Sequence, residues 1–172
     1  MIETQRVILR KFEHTDLEGM YLLHSNPVVH TFLGNQIISK HEEAQNLINY
    51  IHQQYHDFGI GRWACIEKST QKFMGWCGLK FVTETENNQS HFHDIGYRFL
   101  PEFWHQGIAK EVAKPCVEYG FNELNLNKII GTCHIENIAS KKVLEHCGLV
   151  EKELFYWNNI PCRWMEISKP NL

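Results

Sequence analysis

From Thr4 to Phe12 apolar and polar positions alternate, with Val7, Leu9 and Phe12 set against Arg6, Ile8 and Arg10, and this period of two predicts a first strand. The period changes after Thr15. Thr15 and Glu18 stand at capping-box spacing ahead of Leu17, Met20, Tyr21 and Leu23, which predicts a short helix ending near Asn26-Pro27. Ser39 and Glu42 make a second box, behind which Ala44, Leu47, Ile48, Ile51, Tyr55 and Phe58 share one face of an amphipathic helix closed by Gly59 and Gly61. Arg62 to Glu67 and Phe73 to Val82 read as a hairpin around Ser69-Thr70-Gln71-Lys72. Glu84 to Ser90 is acidic and amide-rich, an exposed loop leading to a strand from His91 to Phe99. From Gly107 to Phe121, Ile108, Val112, Cys116 and Tyr119 recur at helical spacing, and Pro115 predicts a kink near Glu111, whose carbonyl loses its donor. Lys128 to His134 is the next strand. Asn137 to His146 is a helix ending at Gly148, and two strands surround Asn158-Asn159. The order is strand, two helices, three strands, helix, strand, helix, two strands. It predicts an α/β (α+β) fold, a mixed sheet of about seven strands covered by about four helices.

Composition narrows the function without naming it. With 172 residues and 43% hydrophobic content, the chain suits one domain over residues 1–172. A formal charge of −3 leaves no electrostatic footprint for nucleic acid. Met1 to Arg10 mixes charged and apolar residues, and no apolar run approaches the roughly 18 residues of a membrane span, so a cytoplasmic protein is expected. The six cysteines form no Cys-x-x-Cys pair and are expected as reduced thiols. His91, His93 and Asp94 lack companions at zinc-site spacing, so no metal is expected.

Candidate chemistry concentrates in the run from Asp94 to Lys110, which reads as a strand, a proline-marked bend and a small-residue turn opening a helix. The first N–H groups of a helix have no intrahelical partner and carry the positive end of its dipole. A turn lined by Gly107 and Ala109 lets a phosphate approach them, which points to a diphosphate-bearing cofactor. The second glycine and Lys-Ser/Thr of a P-loop are missing, as is the three-glycine pattern of a dinucleotide fold.

Three motifs in this order, Asp94-Ile95-Gly96-Tyr97, Trp104-x-x-Gly107-x-Ala109 and Asn137-x-x-Ser140-x-x-x-Leu144-Glu145-x-x-Gly148, carry a resemblance to the GNAT superfamily of acyltransferases, particularly its Rim-type branch, which acetylates protein amino termini and other amines. The resemblance spans nearly the whole chain. It implies acetyl-CoA as co-substrate, with His105, Gln106, Gly107, Ile108, Ala109 and Lys110 at the diphosphate. It also implies a sheet splayed between the fourth and fifth strands, where the pantetheine arm meets peptide groups of Phe99 and Leu100. Lys110 stands where a small hydroxyl residue is common, and is either an ammonium beside the phosphates or a solvated helix position. Gly131 permits close approach to the arm or marks a bulge.

Acetyl transfer needs a neutral amine, a stabilised oxyanion and a proton for the departing thiolate. The resemblance makes Asp94 the candidate base, one methylene shorter than the family's usual Glu, with a strand-end carboxylate facing solvent or pairing with a cation as the alternative. Many relatives carry at the Leu144 position a tyrosine that protonates the sulfur. Rim-type relatives place Ser at the Ser140 position, which makes Ser140 the candidate acid and a cofactor contact, with Asn137 as a cofactor contact or a helix N-cap. The implied acceptor is an amine, a protein amino terminus among the options, in a pocket formed by the first two helices and the Asn158-Asn159 hairpin, with Phe32, Tyr55 and Trp157 as lining or as core. Exposed sheet edges would permit a homodimer. The competing reading is a non-catalytic acyl-CoA-binding regulatory module.

Overall fold

The computed structural model describes residues 1–169. Eight strands form one sheet: β1 (Ile2–Glu3), β2 (Val7–Arg10), β3 (Trp63–Glu67), β4 (Phe73–Val82), β5 (Phe92–Phe99), β6 (Lys128–His134), β7 (Val150–Trp157) and β8 (Ile160–Ser168). Their spatial order is β1-β2-β3-β4-β5-β6-β8-β7. Every neighbouring pair is antiparallel except β5 and β6. Four α-helices cover it: α1 (Leu17–Ser25), α2 (His41–Phe58), α3 (Ile108–Asn122) and α4 (Ile138–His146). The eighth strand arises because the stretch predicted as one strand from Thr4 turns early. Thr4 Oγ1 bonds the Val7 carbonyl, and Ile2–Glu3 folds back on Ile8–Leu9.

Side-chain alternation assigns the layers. Trp63 and Cys65 of β3 join α3 and α4 in one apolar cluster, whereas Ala64 and Ile66 join Met20 of α1 and Ala44, Ile48 and Ile51 of α2 on the opposite face. A sheet buried on both faces needs apolar residues at consecutive positions, which is why its central strands read as runs.

Both predicted capping boxes fall at a neighbouring residue. Glu18 reaches instead to His41, and the buried Asp16 accepts the Glu13 N–H at 2.8 Å and two Arg10 guanidinium contacts. At α2, Glu43 rather than Glu42 accepts from the N–H groups of Ser39 and Lys40. Gly59 ends α2 in the left-handed region, φ +71°. The helix α3 runs unbroken through Pro115. Its first turn is tied to the turn between β1 and β2 by Glu111, whose carboxylate accepts from Thr4 Oγ1 at 2.6 Å and from the Arg6 N–H and Nε at 2.8 and 2.7 Å. Gly131 marks no bulge, since β6 pairs with β8 in unbroken register through it. A Cβ there would sit 2.7 Å from Leu144 and 2.9 Å from Leu149, so the glycine lets α4 pack down on β6. All six cysteines are buried free thiols. No helix among the described residues is long and apolar enough to cross a membrane.

Candidate functional site

The anion-binding turn forms as its residue types require. After the short 3-10 turn Pro101–Phe103, His105 and Gly107 adopt left-handed φ values of +58° and +78°, and α3 begins at Ile108. The first bond closing the helix runs from the Glu111 N–H to the Gly107 carbonyl, so the N–H groups of Ile108, Ala109 and Lys110 precede any intrahelical partner. Ile108 is buried and anchors the turn, whereas His105, Gln106, Gly107 and Lys110 are exposed. Gln106 donates to the Glu102 carbonyl at 2.7 Å. The turn therefore offers main-chain donors at a positive helix end, which fits a diphosphate.

Next to it the sheet opens. The strands β5 and β6 pair only at Asp94↔Ile130, and no ladder continues toward Phe99 and His134. The Leu100 N–H is held by the Met74 carbonyl at 2.9 Å, so by alternation the main chain of Tyr97 and Phe99 turns toward the gap. Of the two residues expected to meet the arm, Leu100 has both peptide groups engaged, its carbonyl accepting from Phe103 N–H at 3.0 Å. The Phe99 carbonyl takes the Trp104 indole N–H at 2.7 Å, which gives Trp104 a packing role and leaves the Phe99 N–H on the gap side. The main chain of Tyr97 also faces the gap, and the motif that contains Tyr97 gave it no role of its own.

Two groups of side chains flank the opening on opposite faces. On the α4 face, Asn137 caps the helix, its Oδ1 accepting the Ser140 N–H at 3.0 Å. Tyr97 donates to the Ser140 carbonyl at 2.9 Å, and its oxygen lies 3.0 Å from Ser140 Oγ. Burial pushes the Tyr97 phenol well above its ordinary range, so it stays protonated. Leu144 is buried in the core.

On the α1/α2 face, Asp94 Oδ2 is ion-paired with Arg62. Arg62 also donates to the carbonyls of Gly78 and Asp94 and lies over the Trp76 ring. Gly96 makes this possible, since a Cβ there would come within 2.6 Å of the Arg62 guanidinium. Asp94 thus has the cation partner that was the alternative to a catalytic role, with Oδ1 left over. Arg62 stood in the sequence as a strand residue and carried no signal of this, because its partner is 32 positions away. Glu86, placed by sequence in an exposed loop, is half-buried, and desolvation raises its pKa with Asp94 adding to the rise.

Further along the same face, Arg98 donates to His24 Nδ1 at 3.0 Å, and Trp76 Nε1 lies 3.4 Å from His24 Nε2. His30 packs edge-on to His24 with ring centroids 5.6 Å apart. Burial, with Arg98 and His30 adding, lowers the His24 pKa to about 3, and His30 is lowered too, chiefly by burial. Both rings are therefore neutral in the folded chain at neutral pH. Unfolding frees His24 to protonate near pH 6.5, so its contribution is intact above that value and is lost as pH falls toward the folded-state value. The expected result is a fall in unfolding free energy of up to about 1.4 kcal/mol per pH unit below pH 6 from this residue alone. Urea unfolding between pH 7 and pH 4.5 measures it, and a His24→Gln variant should show the shallower slope.

The α1–α2 connection closes the far side. Phe32 lies against His134, ring centroids 5.3 Å apart, and Gly34 approaches Ile160. Trp157 packs beside the Val82–Phe92–Trp164 cluster. Tyr55 belongs to the core, its hydroxyl donating to the Arg62 carbonyl. Among the described residues no group of three His, Cys, Asp or Glu side chains is placed to hold a metal ion.

Comparison with known proteins agrees with this geometry. Residues 6–150 match the family model described as acetyltransferase (GNAT) domain. The chain is 28% identical over 165 residues to the uncharacterized N-acetyltransferase YoaA of Bacillus subtilis, covering 94% of this chain and 91% of that protein. A GNAT-family acetyltransferase from Bacillus anthracis superposes with a TM-score of 0.78 at 25% identity, covering 97% of both chains. The spermidine N-acetyltransferase of Vibrio cholerae, solved with CoA and spermine, gives a TM-score of 0.75 at 22% identity, covering 94% of this chain and 95% of that one.

Proposed function

This chain belongs to the GNAT acetyltransferase family, and from that premise we propose how its residues carry out N-acetyl transfer from acetyl-CoA and which amines it serves. The acceptor is a primary amine, either a small molecule or the amino terminus of a peptide. The observation that supports this most is the junction of the Gly107 turn with the gap between β5 and β6, flanked by Ser140 on one face and Asp94 on the other. The main-chain donors from His105 to Lys110 hold the diphosphate, the Lys110 ammonium adds attraction, and the Phe99 N–H and Asn137 orient the arm. The amine nitrogen bonds to the acyl carbon and the C–S bond breaks. One amine proton leaves through water to Asp94 Oδ1, and the thiolate takes a proton from Ser140 Oγ as that hydroxyl regains one from solvent water.

Serine at position 140, with leucine rather than tyrosine at 144, supports assignment to the Rim-type branch. The whole of residues 1–172 acts as one transferase domain. Its free buried thiols suit a reducing cytoplasm. The edge strand β7 exposes Val150, Leu154 and Tyr156, which suits pairing with a second copy.

The test is thiol release from acetyl-CoA against a panel of spermidine, amino acids and short peptides, with the acetylated product identified by mass. Turnover of a primary amine is expected. Calorimetric binding of CoA with no release for any amine would instead favour the non-catalytic module.

A further inference from the structure

The cluster of Arg98, Trp76, His24 and His30 holds more hydrogen-bond donors than it can satisfy. A neutral imidazole has one lone pair on its ring nitrogens. If His24 Nδ1 accepts from Arg98 at 3.0 Å, then Nε2 carries hydrogen and faces the Trp76 N–H at 3.4 Å; if Nε2 accepts from Trp76, the Nδ1 hydrogen faces the guanidinium. Either tautomer leaves a donor without an acceptor. Both ring nitrogens of His30 are enclosed with no partner, and the residue is 2% exposed. No carboxylate among the described residues pairs with Arg98, because the neighbouring Asp94 is committed to Arg62. Burial and the nearby Arg62 charge push Arg98 down to about 10, the response of a cation lacking a counter-ion.

The cluster is also reachable. Arg98 is only half-buried, whereas His24 and His30 behind it are enclosed. The residue sits one position before Phe99, on the face that carries Asp94. Its guanidinium lies over the Trp76 ring, 5.3 Å from the centroid, and its fork matches a planar oxyanion.

We propose that Arg98, with the Trp76 and His24 N–H groups, binds a carboxylate carried by the acceptor, so that the preferred substrate is an amine of amino-acid type and not a polyamine. The proposal rests on the acetyl-transfer reading above and narrows its acceptor. A carboxylate supplies the acceptor atoms and the negative charge that the cluster lacks, and lodging it at Arg98 directs the amine toward the gap between β5 and β6. In spermidine or any other polyamine a second ammonium would meet the guanidinium.

The test uses matched acceptors: α-amino acids, their carboxamides and the corresponding decarboxylated amines, assayed for thiol release beside spermidine. The carboxylated member of each set should show kcat/KM about 30-fold above its carboxamide, with most of the gap in KM, and Arg98→Gln should bring the ratio within about threefold. Equal or better use of carboxamides or spermidine by the unaltered protein overturns the proposal whatever the variant does. A second measurement does not depend on turnover: N-acetylated amino acids and their carboxamides are titrated calorimetrically into the CoA complex. Preference for the carboxylate supports the assignment even if no acceptor in the panel reacts, and equal affinity removes it. Absence of thiol release with every amine counts against acetyl transfer itself, so the two readings fail separately.

Discussion

Arg62→Met is expected to lower the unfolding free energy by about 3–5 kcal/mol, the usual cost of removing one partner of a buried ion pair. The side chains of Arg62 and Asp94 are only 10% and 14% exposed, so the abandoned carboxylate cannot recover its hydration in place. The Gly78 carbonyl loses its guanidinium donor as well, and the Trp76 ring loses the cation lying 5.2 Å from its centroid. Methionine keeps the aliphatic bulk, so the loss reports charge and hydrogen bonding more than volume. Urea unfolding monitored by tryptophan fluorescence measures it. A change below about 1 kcal/mol would place this pair with exposed ion pairs and remove its structural role. Arg62→Met combined with Asp94→Leu should be less damaging than Arg62→Met alone, because no buried charge is then left unpaired. That comparison separates the structural work of Asp94 from any part in catalysis.

Ser140→Ala is expected to lower kcat by about 100-fold, the low end for loss of a positioned general acid. Ser140 Oγ lies on the α4 face of the gap, 3.0 Å from the Tyr97 phenol, and its backbone is fixed by the Asn137 cap. Tyr97 donates its one proton to the Ser140 carbonyl, which leaves the phenol oxygen free to accept the serine hydroxyl. Its burial keeps the phenol neutral, so it positions the serine without supplying the proton. Tyr97→Phe should therefore cost about tenfold in kcat, and the double variant should be no slower than Ser140→Ala, since residues acting as a unit are not additive. Pre-steady-state thiol release isolates the chemical step. A Ser140→Ala enzyme with unchanged kcat would remove the serine from the reaction, and additive losses would show the two residues acting independently.

The three motifs and the Gly107 turn were legible because each is local. A change of hydrophobic period, a glycine at the mouth of a helix and an asparagine three residues before a serine act within one or two turns of chain. The same logic failed where neighbours competed. Both capping boxes moved because Glu18 is drawn to His41 at 2.8 Å and because Glu43 is the residue that reaches the free N–H groups. Leu100 was matched by position to the pantetheine arm, and its N–H is already held by the Met74 carbonyl of β4. Gly131 gave a signal whose cause, the side chains of Leu144 and Leu149, lies on another element.

The sequence by itself determined the kind and order of the elements, the positive helix end at Gly107 and the spacing of Asn137 and Ser140, since periodicity, backbone freedom and the helix dipole depend only on near neighbours. Only the tertiary structure decided which charges meet. The Arg62–Asp94, Tyr97–Ser140 and Arg98–His24 contacts join positions 32, 43 and 74 apart. Sheet order and side-chain alternation put Asp94 and Arg98 on one face and Tyr97 on the other. Burial between packed layers then turns those encounters into an ion pair, a neutral phenol and an arginine with no counter-ion among the described residues, because desolvation makes each charge depend on what lies within a few ångströms of it.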